Sequence, residues 1–407
     1  MKRNPLAPLN CDLFCAVVDN FGDIGVCWRL ARQLANEHAI AIRLWVDNLK
    51  SFNKLCPEVN IYLDRQHCDG VEILHWNESF PDVEPAALVI EAFACKLPEN
   101  YVISMAEKKH QPVWINLEYL SAEDWVEGCH KLPSPHPTLP LIKYFFFPGF
   151  TTKTGGLLLE HDLLKRRDDF QNNLLQQHVF WQSLGLITPA PDTLKVSLFC
   201  YENSSLCDLF DTWAHGTQTV VCLVPEGRIL PQVETYFEQI PKSGTRSFSL
   251  GNLQVCVVPF VEQESYDELL WVCDFNFVRG EDSCVRAQWA GKPFIWHIYP
   301  QHDGVHMQKM RAFMKQYGTG LPAYTLQAMH SLWEIWNQIQ EPIQPSATKA
   351  GEAWNDCFKH QLILQKHALT WSKVLSNNNL ALNLLDFFNS IDRMPDFQNF
   401  STNRQTL

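Results

Sequence analysis

No two of the fourteen cysteines stand in a CxxC spacing, so zinc-ribbon and thioredoxin-like sites have nothing to rest on. The cysteines lie singly in apolar runs, as Cys15, Cys200, Cys222, Cys256 and Cys273 do, and read as reduced core residues rather than a disulfide framework. Basic residues are in deficit, 33 Lys and Arg against 45 Asp and Glu, for a net charge of −12. That balance argues against a nucleic-acid or membrane-surface binder and leaves only a local cationic groove open. No stretch is long and apolar enough to span a bilayer, and the opening MKRNPLAPLNCDLF carries two basic residues without a continuous apolar segment. The cytoplasm is therefore the expected compartment, with neither nucleic acid nor membrane as a partner. The dinucleotide fingerprint GxGxxG is missing from the first glycine-containing turn, where the spacing is GxxG.

That turn lies in VVDNFGDIGVCWRLARQLA, residues 17–35. An apolar run at 13–18 predicts a strand buried on both faces, and Cys27, Leu30, Ala31, Leu34 and Ala35 predict a helix. Between them a loop is expected to hold Asp19 and Asp23, with Gly22 and Gly25 letting the chain turn and a ligand approach. Two carboxylates make a poor phosphate cradle and suit a cation or an acidic proton. The plainer alternative is that Asp23 caps the helix and Asp19 ends the strand.

A chain of 407 residues with 46% hydrophobic content predicts two domains. Strand-like runs at 40–46, 71–74, 87–93 and 113–117 alternate with helical stretches, as βαβ units do. Residues 132–156 are rich in proline, glycine and aromatics and read as an irregular edge, apart from Tyr144 to Phe147, which fit a buried strand. One charged, amide-rich helix is expected over about 158–184. The alternation restarts with strands at 194–201, 219–224, 253–258, 274–278 and 294–298, and the tail from Thr325 is helical, with core tryptophans. The expected fold class is α/β of the GT-B type: two Rossmann-like domains facing a cleft, with C-terminal helices packing back on the first. The expected division is 1–186, completed by a helix at about 378–396, and 187–377.

In the second half, a strand ending at Val278 runs into Arg279-Gly280-Glu281-Asp282-Ser283 and a helix over 284–290. Ser283 at the helix start offers a hydroxyl and free amides to a diphosphate, with Arg279 for charge balance. Glu281 and Asp282 conflict with a diphosphate unless they face sugar hydroxyls, amides or a cationic acceptor. The bland alternative is an Asp/Ser cap beside a surface Glu–Arg pair.

DNFGDIGVCWRLARQLA, SLFCYEN, PFVEQESYDELLW, RGEDS and IYPQHDGVH, in that order, resemble the EarP family of bacterial protein-arginine rhamnosyltransferases. The resemblance implies a GT-B fold, dTDP-β-L-rhamnose as donor, and inverting transfer to an arginine of translation elongation factor P, which serves ribosomes stalled at polyproline. It implies no metal and no cofactor. It makes Asp23 the base, Asp19 its supporting carboxylate and Glu281 the second catalytic carboxylate. It also makes Tyr201 a donor to the phosphates, Asp282 and Ser283 ligands of the diphosphate side, and Phe260 and Gln263 contacts to the thymine.

The chemistry asks for two carboxylates, because guanidinium is a poor nucleophile whose charge is delocalised and whose pKa exceeds about 12. His302 and His306 sit four apart with no third metal ligand evident, and His306 is expected to border the diphosphate. Two other readings remain at this stage: a GT-B transferase or nucleotide-sugar epimerase with another donor, and a non-catalytic nucleotide- or protein-binding factor.

Overall fold

The computed structural model describes residues 9–18, 21–237, 246–300, 304–338 and 349–392. The first sheet is built from β1 (Asn10–Cys15), β2 (Ala41–Val46), β3 (Arg65–Cys68), β4 (Val71–His75), β5 (Leu88–Ala92), β6 (Val113–Leu117), β7 (Pro133–Pro135) and β8 (Ile142–Phe146). Its strand order is β3-β4-β2-β1-β5-β6-β8-β7, parallel except for the edge strands β3 and β7. The second sheet holds β9 (Leu194–Leu198), β10 (Val220–Pro225), β11 (Ser247–Leu250), β12 (Leu253–Val258), β13 (Phe275–Arg279) and β14 (Phe294–His297), ordered β11-β12-β10-β9-β13-β14.

In each sheet the first strand lies between strands reached by opposite crossovers: β1 between β2 and β5, β9 between β10 and β13. Such a reversal opens a crevice at the carboxyl ends of the strands, where α/β proteins bind ligands. β1 is buried from Cys11 to Cys15, as a central parallel strand must be.

The helices are α1 (Gly22–His38), α2 (Leu49–Leu55), α3 (Glu99–Glu107), α4 (Val126–Cys129), α5 (Leu163–Gln171), α6 (Leu174–Ser183), α7 (Leu206–His215) and α8 (Leu230–Tyr236). They continue with α9 (Gln263–Val272), α10 (Glu281–Ala290), α11 (Val305–Tyr317), α12 (Ala323–Trp336), α13 (Ala350–Phe358), α14 (Gln361–Leu375) and α15 (Leu380–Asp392). Among the described residues no helix is long and apolar enough to cross a membrane.

Three elements differ from expectation. The single helix over 158–184 is two, α5 and α6, because the Asn173 side chain accepts the Leu175 and Gln176 amides and starts a new helix. α1 begins at Gly22, so Gly25 lies inside a helix rather than in a ligand loop. α10 begins at Glu281, three residues early, because Gly280 adopts φ 65° and turns the chain directly out of β13.

Trp333, Trp336 and Trp354 of α12 and α13 pack with Phe277 and Phe294 under the second sheet. The chain then returns. Leu380, Ala381, Leu384, Phe387 and Phe388 of α15 enter the core of the first sheet, with Phe387 against Tyr144 and Phe146 at 5.3 and 5.9 Å. The crossing is tight: the Leu157 amide donates to the Asn378 carbonyl, the Leu380 amide donates to the Leu157 carbonyl, and a side chain at Gly156 would overlap Asn378. The expected closing helix at about 378–396 is α15; residues 393–396 lie outside the described residues.

Candidate functional site

Asp23 sits in the first turn of α1, 2% exposed, where a carboxylate is favoured by the helix dipole. It does not cap its own helix. Its Oδ2 accepts the Val18 amide at 2.8 Å and its Oδ1 accepts the Tyr119 hydroxyl at 3.3 Å. Asp19, expected beside it, lies outside the described residues, as does His302.

Glu281 likewise stands in the first turn of its helix, α10. Its Oε2 accepts the Leu120 amide at 2.9 Å and its Oε1 binds Lys309 Nζ at 2.8 Å. Burial pushes the Glu281 carboxyl up from the ordinary range, and Lys309 and the Leu120 amide only partly oppose it. Asp23 and Glu281 line one cavity of about 200 Å³, together with Phe93, Tyr119, Trp296, Tyr299, His306 and Lys309. Phe93 and Tyr119 stack at 4.4 Å, and the Lys309 ammonium lies 5.7 Å from the Tyr119 ring centre. Carboxylates and aromatic faces together suit a planar cation.

A second cavity of about 70 Å³ shares Gly22, Gly280 and Glu281 with the first. Tyr201, Phe260, Gln263, Arg279, Asp282 and Ser283 all line it. Phe260 lies against Phe21 at 4.9 Å, and the Arg279 guanidinium stacks on Phe199 and Tyr201 at 4.5 and 4.8 Å. Behind Tyr201, burial followed by the charges of Arg279 and His306 pushes His297 down to about 3, so this imidazole is neutral at physiological pH. The N-cap of α10 is Gly280, which has no side chain to bond the first-turn amides, and amides at a helix start suit an anion.

Two of these side chains are also bonded to the first half of the chain. The Gln263 amide does not face the cavity freely: its Nε2 donates to the Gly25 carbonyl at 3.1 Å and its Oε1 accepts from Arg32 at 3.1 Å. Gln263, the first residue of α9, meets α1 at Gly25, where an added Cβ would stand in van der Waals contact, 3.4 Å from Gln263 Nε2. Asp282 directs Oδ1 to Arg29 Nε at 2.9 Å. One carboxylate oxygen thus faces a cation, which lessens the conflict between Asp282 and a neighbouring diphosphate.

Arg29 belongs to a buried network that sequence reasoning missed. Arg286 binds Asp267 through two bonds of 2.8 and 2.6 Å and Glu160 at 2.7 Å, while Arg29 reaches Asp267 at 3.4 Å and Glu160 at 3.5 Å. The one signal in the sequence was an arginine among the apolar residues of the α1 helix. Tyr119 and Lys309 gave no signal at all, being ordinary residues of a loop and a helix.

All fourteen cysteines are free thiols, most of them buried. Among the described residues, Cys56, Glu58 and Cys68 bring three ligand-type atoms within 4.8 Å of one another. The sulfurs are 3.4 Å apart and Cys68 donates to Glu58 at 3.1 Å, so hydrogen bonds between these groups account for the cluster.

Residues 11–389 match the family described as elongation factor P (EF-P) rhamnosyltransferase EarP. A protein-arginine rhamnosyltransferase of Pseudomonas putida is 47% identical over 378 residues, covering 93% of this chain and 98% of that protein. One from Shewanella oneidensis is 41% identical, covering 92% and 96%. A solved structure concerned with EarP-mediated arginine glycosylation of translation elongation factor EF-P is 34% identical with a TM-score of 0.66, covering 94% of this chain and 99% of that one. MurG of Acinetobacter baumannii, 10% identical with a TM-score of 0.50 over 94% and 100% of the two chains, shares the fold alone. With two Rossmann-type sheets in the GT-B arrangement and a family match along nearly its whole length, the chain belongs to the EarP family of EF-P rhamnosyltransferases.

Proposed function

We propose that this chain transfers L-rhamnose from dTDP-β-L-rhamnose to an arginine side chain of translation elongation factor P, with inversion and without a metal ion. The observation that carries the reading is that Asp23 and Glu281, from the two halves of the chain, line one cavity that opens onto the cavity of Tyr201, Phe260 and Ser283.

The acceptor guanidinium enters the cavity of Asp23 and Glu281, where carboxylate hydrogen bonds fix its plane. Glu281 already binds a cation, so the guanidinium takes the place of Lys309 at Oε1. As one guanidinium nitrogen attacks C1 of rhamnose, its proton passes to Asp23 and the C1–O bond to dTDP breaks on the opposite face. A single displacement of a β-linked leaving group gives an α-linked product and requires a base but no enzyme nucleophile. The departing diphosphate is met by the α10 amides, Ser283, Tyr201 and Arg279. Phe260 stacks on the thymine.

Modification of this factor serves translation through polyproline, and the reading carries the cytoplasm as its compartment. Intact-mass analysis of unmodified elongation factor P, incubated with the chain and dTDP-β-L-rhamnose, tests the reading. A gain of one deoxyhexose on an arginine is expected. No gain while dTDP still binds would send the assignment to another sugar or acceptor.

A further inference from the structure

The two catalytic carboxylates stand on helices from different halves of the molecule, so something must set the distance between them. α1 carries Asp23 in its first turn and Arg29 six residues on; α10 carries Glu281 and Asp282 side by side. Arg29 Nε bonds Asp282 Oδ1 at 2.9 Å, and its NH2 donates to the Gln263 carbonyl at 3.3 Å. The longer Arg29 contacts to Asp267 are secondary, because Asp267 is already held by Arg286 through two short bonds within the second half. We propose that Arg29 is a positioning residue: its bond to Asp282 ties α1, at a point less than two turns beyond Asp23, to the first turn of α10 and so fixes Asp23 relative to Glu281 across the cleft.

Three features of the junction fit this role. The guanidinium is 2% exposed, so the bond has little solvent to compete with it. Burial and the charge of Arg286 work against Arg29, yet Asp267, Asp282 and Glu160 outweigh them and hold it protonated. One turn before Arg29 the two helices are in van der Waals reach, a Cβ at Gly25 lying 3.6 Å from Asp282 Cβ, and the Gly25 carbonyl takes the Gln263 amide from the start of α9. A planar fork reaching Asp282 and the Gln263 carbonyl together defines orientation as well as distance, which a point charge does less well. The lever from Arg29 back to Asp23 is under two helical turns and therefore stiff.

The proposal rests on the roles of Asp23 and Glu281 given above. The test measures kcat for elongation factor P modification, the Kd for dTDP and the melting temperature of Arg29→Met and Arg29→Lys, with Asp23→Asn alongside. Arg29→Met is expected to lower kcat by about 30- to 100-fold while the dTDP Kd moves less than about threefold. Arg29→Lys, which keeps the charge but not the fork, is expected to recover part of the rate, leaving kcat about three- to tenfold below the parent, and carries the test if Arg29→Met does not fold. Parent-like kcat in a folded Arg29→Met, or in Arg29→Lys where that is the variant that folds, overturns the proposal. So does a loss of dTDP affinity that matches the loss of rate, since Arg29 would then be a donor contact. Full activity in Asp23→Asn overturns the base assignment and the proposal with it, whereas an inactive Asp23→Asn beside fully active Arg29 variants overturns the clasp alone.

Discussion

Lys309 Nζ lies 2.8 Å from Glu281 Oε1 at the mouth of the cavity that also holds Asp23. On the function proposed above, an ammonium thus occupies the place that the substrate guanidinium takes. It also opposes, in part, the penalty that burial places on the Glu281 carboxylate. Burial raises the carboxyl and Lys309 lowers it, so a reaction that needs ionised Glu281 turns on as pH rises through this perturbed value. Removing the ammonium in Lys309→Met moves the acid limb of the kcat/KM profile to higher pH. An acid limb that stays in place would show that Glu281 is not the group titrating.

Asp23→Asn keeps the size of the side chain and its contact with Tyr119 but cannot take a proton. Transfer is expected to fall by about 10²- to 10⁴-fold, with dTDP binding within about threefold of the parent by calorimetry. Retained transfer would remove Asp23 from the role of base.

Phe260→Ala loses a ring that lies against Phe21 in the donor cavity. The dTDP Kd is expected to rise about tenfold, the size of one aromatic stacking contact. Gln263→Ala separates two roles for its amide. Because that amide is bonded to Gly25 and Arg32, the variant is expected to lower the melting temperature as well as the affinity, whereas a pure ligand contact would lower affinity alone.

Glu160 is held low, to about 2: burial alone would raise it, but the charges of Arg286 and Arg29 prevail. A carboxyl whose folded pKa is depressed stabilises the protein above its unfolded value and loses that contribution as pH falls through the folded one. Glu160→Gln is therefore expected to cost about 2–3 kcal/mol at neutral pH, with the difference from the parent shrinking below about pH 4.5 and gone near pH 2. Urea unfolding at a series of pH values measures it; a difference independent of pH would assign the loss to packing.

The strand–helix alternation was legible because buried parallel strands such as β1 and β10 are short apolar runs whatever their partners. The motif residues were legible too, and Tyr201, Phe260, Ser283 and Glu281 line adjoining cavities. Helix starts were harder. Gly22 and Gly25 have the look of a loop, and only the folded chain shows Gly25 inside a helix, facing Gln263 and Asp282. The ionic network was invisible because Arg29 and Asp282 stand far apart in sequence, and no periodicity links an arginine on one helix to an aspartate on another. Asn173 held a readable cap, but the charged, amide-rich run on both sides of it hid the break between α5 and α6.

The return of α15 across the molecule has a bearing on how the protein is made. A chain that emerges from the ribosome in order exposes the first sheet long before the helix that covers part of it has been synthesised. Until Leu384, Phe387 and Phe388 arrive, the apolar faces of Tyr144 and Phe146 have no cover, and the second half must already be threaded between them. The N-terminal half therefore cannot be expressed by itself as a finished unit. A shortened gene ending at residue 375 would yield a molecule whose second half is whole and whose first half carries an open, sticky seam.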